Sequence, residues 1–139
     1  MDNSNRFEQI EITSDYTLAK KIEDQLVCVA EAHRYDEEMV FALRLSLEEA
    51  LSNAIRHGNK GDAYKKVKVR YLINSDIIDI YVEDEGSGFN PRDVPDPTAQ
   101  ENLSNPSGRG IMLMRAYMNK VEYNAAGNVI HLVKLNQAG

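Results

Sequence analysis

The sequence predicts an α+β domain: a two-layer α/β sandwich in which a mixed, mostly antiparallel sheet is covered on one face by helices. Three observations predict it. The hydrophobic period alternates at residues 7–13, turns helical between 16 and 57, and returns to strict alternation from 66 to 82. Asn74, Ser75 and Asp76 interrupt that last stretch with turn chemistry, so the strands on either side read as an antiparallel hairpin. In the first of them Lys66, Lys68 and Arg70 face one way while Val67, Val69 and Tyr71 face the other, the pattern of a sheet covered on one side only.

At 139 residues the chain is the size of one domain, and residues 1–139 are expected to form a single unit around one core. Its 42% hydrophobic and 27% charged residues are those of a globular protein, neither disordered nor fibrous. A net charge of −6 argues against a general affinity for nucleic acid, whose phosphates dominate binding. The cationic row at 66, 68 and 70 leaves a local nucleic-acid reading open, but a solvated sheet face is the commoner cause and the one expected. MDNSNRFEQIEI at the start contains no apolar signal core, and no run approaches the ~18 apolar residues of a membrane span, so a soluble, cytoplasmic protein without a membrane partner is expected. Cys28, the only cysteine, falls in a helical apolar pattern and is expected to pack as a small hydrophobe in a reducing compartment.

Each element follows from local chemistry. FEQIEIT, residues 7–13, is a half-buried strand. Ser14 or Asp15 then caps a helix with Leu18, Ile22, Leu26, Val29 and Ala30 on one side and Lys20, Lys21, Glu23 and Asp24 on the other, ending near Arg34. Asp36 caps a second helix, which His57, Gly58, Asn59 and Gly61 close. After the hairpin, residues 90–107 hold all four prolines with no sustained apolar period, and so long an irregular segment is usually a lid or binding loop. A third helix with Ile111, Met114, Tyr117 and Met118 at helical spacing follows, then strands around Lys120–Tyr123 and Val129–Leu135 joined by an Ala-Ala-Gly-Asn turn.

Three stretches carry candidate chemistry. SLEEALSNAIRHGN, residues 46–59, belongs to a helix of which one face holds Val40, Leu43, Leu47, Ala50, Leu51 and Ala54, and another lines up Ser46, Glu49, Asn53 and His57. Glu49 and Asn53 lie one turn apart, which sets a carboxylate able to accept a proton beside an amide oxygen able to ligate a hard cation; alone, the same pattern reads as a solvated polar face. EDEGSGF, residues 83–89, is an acidic strand end running into Gly86 and Gly88, or a plain glycine turn. SGRG, residues 107–110, opens the third helix, where glycines admit an anion to the backbone amides.

In this order, E-A-x-x-N-A-x-x-H-G on a helix, a strand ending D-x-G-x-G-F, a polar lid and G-x-G opening a helix, the chain resembles the ATP-binding domain of the superfamily that includes gyrase B, Hsp90, histidine kinases and MutL. Within it the chain is most similar to the free-standing bacterial anti-sigma factor serine/threonine kinases, and the resemblance spans nearly its whole length. That resemblance implies the Bergerat-type ATP-binding fold, ATP and Mg²⁺ as cofactors, Glu49 as general base, Asn53 as Mg²⁺ ligand and Asp84 as acceptor for the adenine amino group. It places Gly86, Gly88, Gly108 and Gly110 where backbone lies close to the nucleotide; Arg109 reaches a phosphate or stays an exposed arginine. It further implies a small antagonist protein as phosphorylation substrate, a sigma factor or similar regulator as the sequestered partner, and a homodimer. The rival reading is a regulatory module that holds ATP and titrates a partner without phosphorylating it; retention of Glu49 favours the enzyme.

Overall fold

The computed structural model describes residues 6–86 and 106–136, with the backbone alone at 106–109. Gly88 and residues 90–105 of the expected lid lie outside these. The elements run β1 (Glu8–Thr13), α1 (Tyr16–Ala32), α2 (Glu37–Asn53), a π-helical turn (Ala54–Gly58), β2 (Lys66–Ile73), β3 (Ile77–Asp84), α3 (Pro106–Tyr117), β4 (Lys120–Tyr123) and β5 (Val129–Leu135).

Caps and turns set most boundaries. Asp15 caps α1, accepting from the amides of Thr17 at 2.7 Å and Leu18 at 3.2 Å. The alternative cap, Ser14, instead donates its hydroxyl to the Lys65 carbonyl at 2.7 Å, tying the end of β1 to the start of β2. Asp36 caps α2 by accepting from the Met39 amide at 2.8 Å. In the hairpin turn Asn74 Oδ1 accepts from Asp76 and Ile77 at 2.9 and 3.0 Å.

The strands form one sheet in the order β1-β2-β3-β5-β4, and every pairing is antiparallel. The expectation of a mixed sheet is corrected by the route of the chain. After β3 it crosses over α3 to the far edge, enters as β4, and doubles back in a hairpin, so β5 runs against β3 rather than with it. Helix α2 lies between α1 and α3, and its Leu43, Leu47 and Leu51 join Leu26, Ile78, Ile80, Met114 and Leu132 in the fully buried core. Burying such a side chain contributes about 1.5–3 kcal/mol.

Four local expectations change. Glu23, read as part of a polar surface, is only 3% exposed because α2 packs over it; Arg44 Nη1 at 3.0 Å and Lys20 Nζ at 3.2 Å compensate its charge. Cys28 is exposed, not packed: at ~100° per residue it is turned away from buried Val27 towards solvent. Ser46 and Asn53 are both buried, so the polar row on α2 faces the interior. Helix α3 starts at Pro106, where a missing N–H is harmless. Gly108 therefore lies in its first turn and Gly110 at the start of its second, instead of ahead of it.

On the open sheet face Tyr81 stacks on His131 with ring centroids 4.1 Å apart, and Arg70 covers Tyr81 at 4.6 Å, following the cross-strand register of β2, β3 and β5. Lys66 pairs with Glu11 at 3.1 Å. Two members of the cationic row thus have neighbours within the sheet. Among the described residues, no helix is long and apolar enough to cross a membrane.

Candidate functional site

The regular helix ends at Asn53. Beyond it the Asn59 amide donates to the Ala54 carbonyl at 2.8 Å, one residue further back than an α-helical bond reaches, and the Gly61 amide donates to Ile55 at 2.8 Å. The ~100° progression that would align His57 with Glu49 and Asn53 stops there, and His57 emerges exposed. The wide turn delivers Gly58 to the end of β3.

There Gly58, Asp84 and Gly86 interlock. A Cβ on Gly58 would fall within the Asp84 carboxylate, and a Cβ on Gly86 would fall on the Gly58 carbonyl oxygen, 3.0 Å from Asp84 Oδ1. Both positions therefore need glycine for protein packing, before any ligand is considered. Asp84 is 8% exposed, and its Oδ1 accepts from the Gly86 amide at 2.8 Å. Burial pushes its pKa up and Glu83 adds to this, against the Gly86 N–H and Lys65. The result is a carboxylate fixed in position with acceptor capacity to spare.

Asn59, read in the sequence only as a helix stop, is 0% exposed and bonded on both sides of its amide. Its Nδ2 donates to Ser14 Oγ at 2.9 Å and to the Lys66 carbonyl at 3.0 Å, while Oδ1 accepts from the Glu85 amide at 2.8 Å. One side chain thereby joins the ends of β1, β2 and β3 to the π turn.

Glu49 and Asn53 stand one turn apart on α2. Glu49 is half-buried, and Gly110 of α3 packs on it so closely that a Cβ there would meet Oε2, with Cδ at 2.9 Å. Burial raises the Glu49 pKa and the charge of Glu48 adds to it, while Arg56 opposes. Asn53 is 8% exposed and its Oδ1 has no hydrogen-bond partner, nor has Ser46 Oγ. A buried acceptor left unpaired costs stability, so such an atom in a native fold asks for an explanation. Tyr123, closing β4, connects the two ends of the site. Burial pushes its phenol up to about 12, and it interacts with Asn53, Asp84, Glu49 and Arg115.

The structure thus places Gly110 on Glu49, and Gly86 on Asp84, with Tyr123 in the electrostatic reach of both and beside Asn53. Gly108 and Arg109 enter as backbone in the first turn of α3. Sequence reasoning missed Tyr123, for which only its place at a strand end gave a hint, and it undervalued Gly58 and Asn59, the two residues that follow His57. Among the described residues there is no cluster of three or more His, Cys, Asp or Glu able to hold a metal ion. A cation here would take most of its ligands from phosphate and water, for which one unsatisfied amide oxygen is a fitting protein donor.

Residues 12–134 match the family model described as the histidine kinase-like ATPase domain. Proteins named anti-sigma F factor from Bacillus thuringiensis (strain Al Hakam) and Bacillus mycoides (strain KBAB4) are each 31% identical over 103 residues, covering 70% of this chain and 70% of their own. The crystal structure of the RsbU and RsbW domains of a Mycobacterium tuberculosis protein superposes with a TM-score of 0.63 at 16% identity, over 94% of this chain. The chain spans 33% of that larger one, and the likeness speaks for the fold alone.

Proposed function

This chain belongs to the histidine kinase-like ATPase domain family, in its anti-sigma factor branch, and from that premise we propose that it is an ATP-binding protein serine/threonine kinase that phosphorylates a small antagonist protein and sequesters a sigma factor or similar regulator. The observation that carries the kinase reading is Glu49: half-buried, raised in pKa, and one helical turn from an Asn53 oxygen with no partner. A carboxylate whose pKa is raised by burial takes a hydroxyl proton more readily than an ordinary one.

Each residue has a distinct part in this proposal. Asp84 accepts the exocyclic N–H of adenine, where guanine would present an oxygen. Asn53 Oδ1 holds Mg²⁺, which when bound neutralises charge on the phosphates. Glu49 receives the proton of a serine or threonine hydroxyl as that oxygen bonds to the γ-phosphorus and the bond from that phosphorus to the β,γ-bridging oxygen breaks, with ADP as the leaving group. Gly110 lets α3 close on the carboxylate and limits where it can point. The homodimer and the cytoplasmic setting belong to the same proposal.

The rival reading is a module that binds ATP and titrates its partner without phosphorylating it. Incubation with γ-labelled ATP and a lysate of the cells the protein comes from separates the two. Label on a serine or threonine of a small protein supports the kinase. Stoichiometric capture of an unlabelled protein supports the module.

A further inference from the structure

Two turns meet the Asp84 carboxylate through their backbone, at Gly58 and at Gly86, and Asn59 joins them. Its backbone amide closes the π turn on Ala54 at 2.8 Å, which sets Gly58, the neighbouring residue, against the carboxylate. Its Oδ1 accepts from the Glu85 amide at 2.8 Å, the peptide immediately after Asp84. The next amide, that of Gly86, donates to Asp84 Oδ1 at 2.8 Å. The two N–H groups of the turn thus go to two different side chains, Asn59 holding the first and Asp84 the second. Rotation of the Glu85 peptide would move the Gly86 amide away from Asp84; the Asn59 oxygen opposes that rotation at the backbone, while the Lys66 amide, donating to Glu85 Oε2 at 3.0 Å, holds the side chain. On its donor side Asn59 is anchored to Ser14 Oγ at 2.9 Å and the Lys66 carbonyl at 3.0 Å, both in strands already fixed by the sheet.

We infer that Asn59 is a positioning residue for nucleobase selection: through the Glu85 amide and the Gly58 backbone it aims the Asp84 carboxylate at the exocyclic amino group of a purine nucleoside triphosphate. This rests on reading Asp84 as the adenine contact. A purely architectural Asn59 would weaken binding of every nucleotide alike, whereas a residue acting through Asp84 weakens binding only where Asp84 has an amino group to meet.

Inosine triphosphate carries an oxygen in place of that amino group, so the ratio of ATP to ITP affinity, measured by calorimetry at fixed Mg²⁺, isolates the contact. The wild-type protein is expected to prefer ATP by roughly 10-fold or more, the worth of a hydrogen bond to a charged group, and Asp84→Asn to lose that preference. Asn59→Ala is expected to lower the ratio by about the factor Asp84→Asn does, with ITP affinity within about 3-fold of wild type, and the double variant to add nothing further. Ser14→Ala, which leaves the Asn59 bonds to the Glu85 amide and the Lys66 carbonyl in place, is expected to retain the preference. A wild-type ratio near one removes the Asp84 contact, and the inference with it. A ratio that falls in Asp84→Asn but stays at the wild-type value in Asn59→Ala leaves Asp84 standing and overturns Asn59. A preference lost in Ser14→Ala as fully as in Asn59→Ala also overturns the assignment to the Glu85 bond. Should the substituted chains not fold, amide exchange on the wild type decides: slow exchange at Glu85 without nucleotide is required, and exchange at the rate of an open turn overturns the proposal.

Discussion

The two ends of the site are built on opposite principles. At the Asp84 end three of the four contacts pair a side chain with backbone and the fourth joins Asn59 to Ser14 Oγ, so that Asn59, though wholly buried, is bonded through both its nitrogen and its oxygen. At the Glu49 end the polar atoms are desolvated and left over: Glu49 against a glycine, Asn53 Oδ1 and Ser46 Oγ with no partner. The first end is complete as folded protein. The second carries unpaired polarity that costs stability and is offset only when something with complementary charge arrives. A site so divided would hold a base by shape and fixed dipoles, and reserve its electrostatic strain for the phosphates, where the chemistry occurs.

The largest expected effect tests the chemistry of the Glu49 end. Removing a general base usually lowers a rate by ~10²–10⁴, so Glu49→Gln should abolish most transfer from γ-labelled ATP to the partner while ATP affinity by calorimetry changes little. Glu48→Gln removes one charge from the adjacent exposed position and should leave transfer largely intact at neutral pH. Near wild-type transfer by Glu49→Gln would mean that the base lies elsewhere or is not needed.

The glycines then break the comparison in two. A Cβ at 86 meets backbone, the Gly58 carbonyl, which has nowhere to go; a Cβ at 110 meets the far end of the flexible Glu49 side chain, which can swing away. Gly86→Ala should therefore lose about 1–3 kcal/mol by urea unfolding, as overpacked sites do. Gly110→Ala should lose much less stability and yet slow phosphoryl transfer, because the carboxylate has moved. Equal stability losses would show that Glu49 is held as rigidly as Asp84 and that the two ends do not differ.

Acidification distinguishes the ends more gently. Burial and Glu48 both raise Glu49, so its base form disappears, as pH falls, above the ~4.3 of an ordinary glutamate. The acid limb of the transfer rate should lie there and move to lower pH in Glu48→Gln; a limb that stays put would exclude Glu49 as its source. For stability the sign runs the other way around. A folded-state pKa raised by burial, as at Asp84, favours the fold below the unfolded value and loses that contribution as pH rises through the folded one. Relative to wild type, Asp84→Asn should be more stable at neutral pH than at pH near ~4, measured by urea unfolding at both.

The smallest effect concerns Ser46. Its hydroxyl is buried without a partner, and alanine is the better helix former, so Ser46→Ala should be neutral or stabilising by up to ~1 kcal/mol with ATP affinity unchanged. A clear loss of ATP affinity would make Ser46 Oγ a ligand group like Asn53 Oδ1.

Much of this was legible in sequence because it depends on period and local caps. The strict alternation at 66–72 and the Asn74 turn fixed the hairpin, and Asp36 marked the start of α2. The spacing of Glu49 and Asn53 likewise survives, since one helical turn is a local relation. What could not be read is whatever needs two distant segments at once. Ser46 and Glu23 look like surface until another helix is laid over them. Tyr123 joins the site through a β4 that sits at the far edge of the sheet order. The antiparallel direction of β5 depends on where the crossover lands. Asn59 reads as a stop because its bonds go to residues 14, 66 and 85.

The π turn sets a dimension of the site. Between Asn53 and Asn59 the backbone carries one residue more per loop than the regular helix leading into it. Deleting a residue there would let α2 continue as ordinary helix, with better backbone bonds, and would draw Gly58 back from Asp84. The gap between helix and strand end is therefore gauged by a count of residues rather than by the bulk of any side chain. A spacer of that kind keeps its length when its side chains change: Arg56 and His57 stand exposed on it, while its glycine and its closing asparagine keep the gauge.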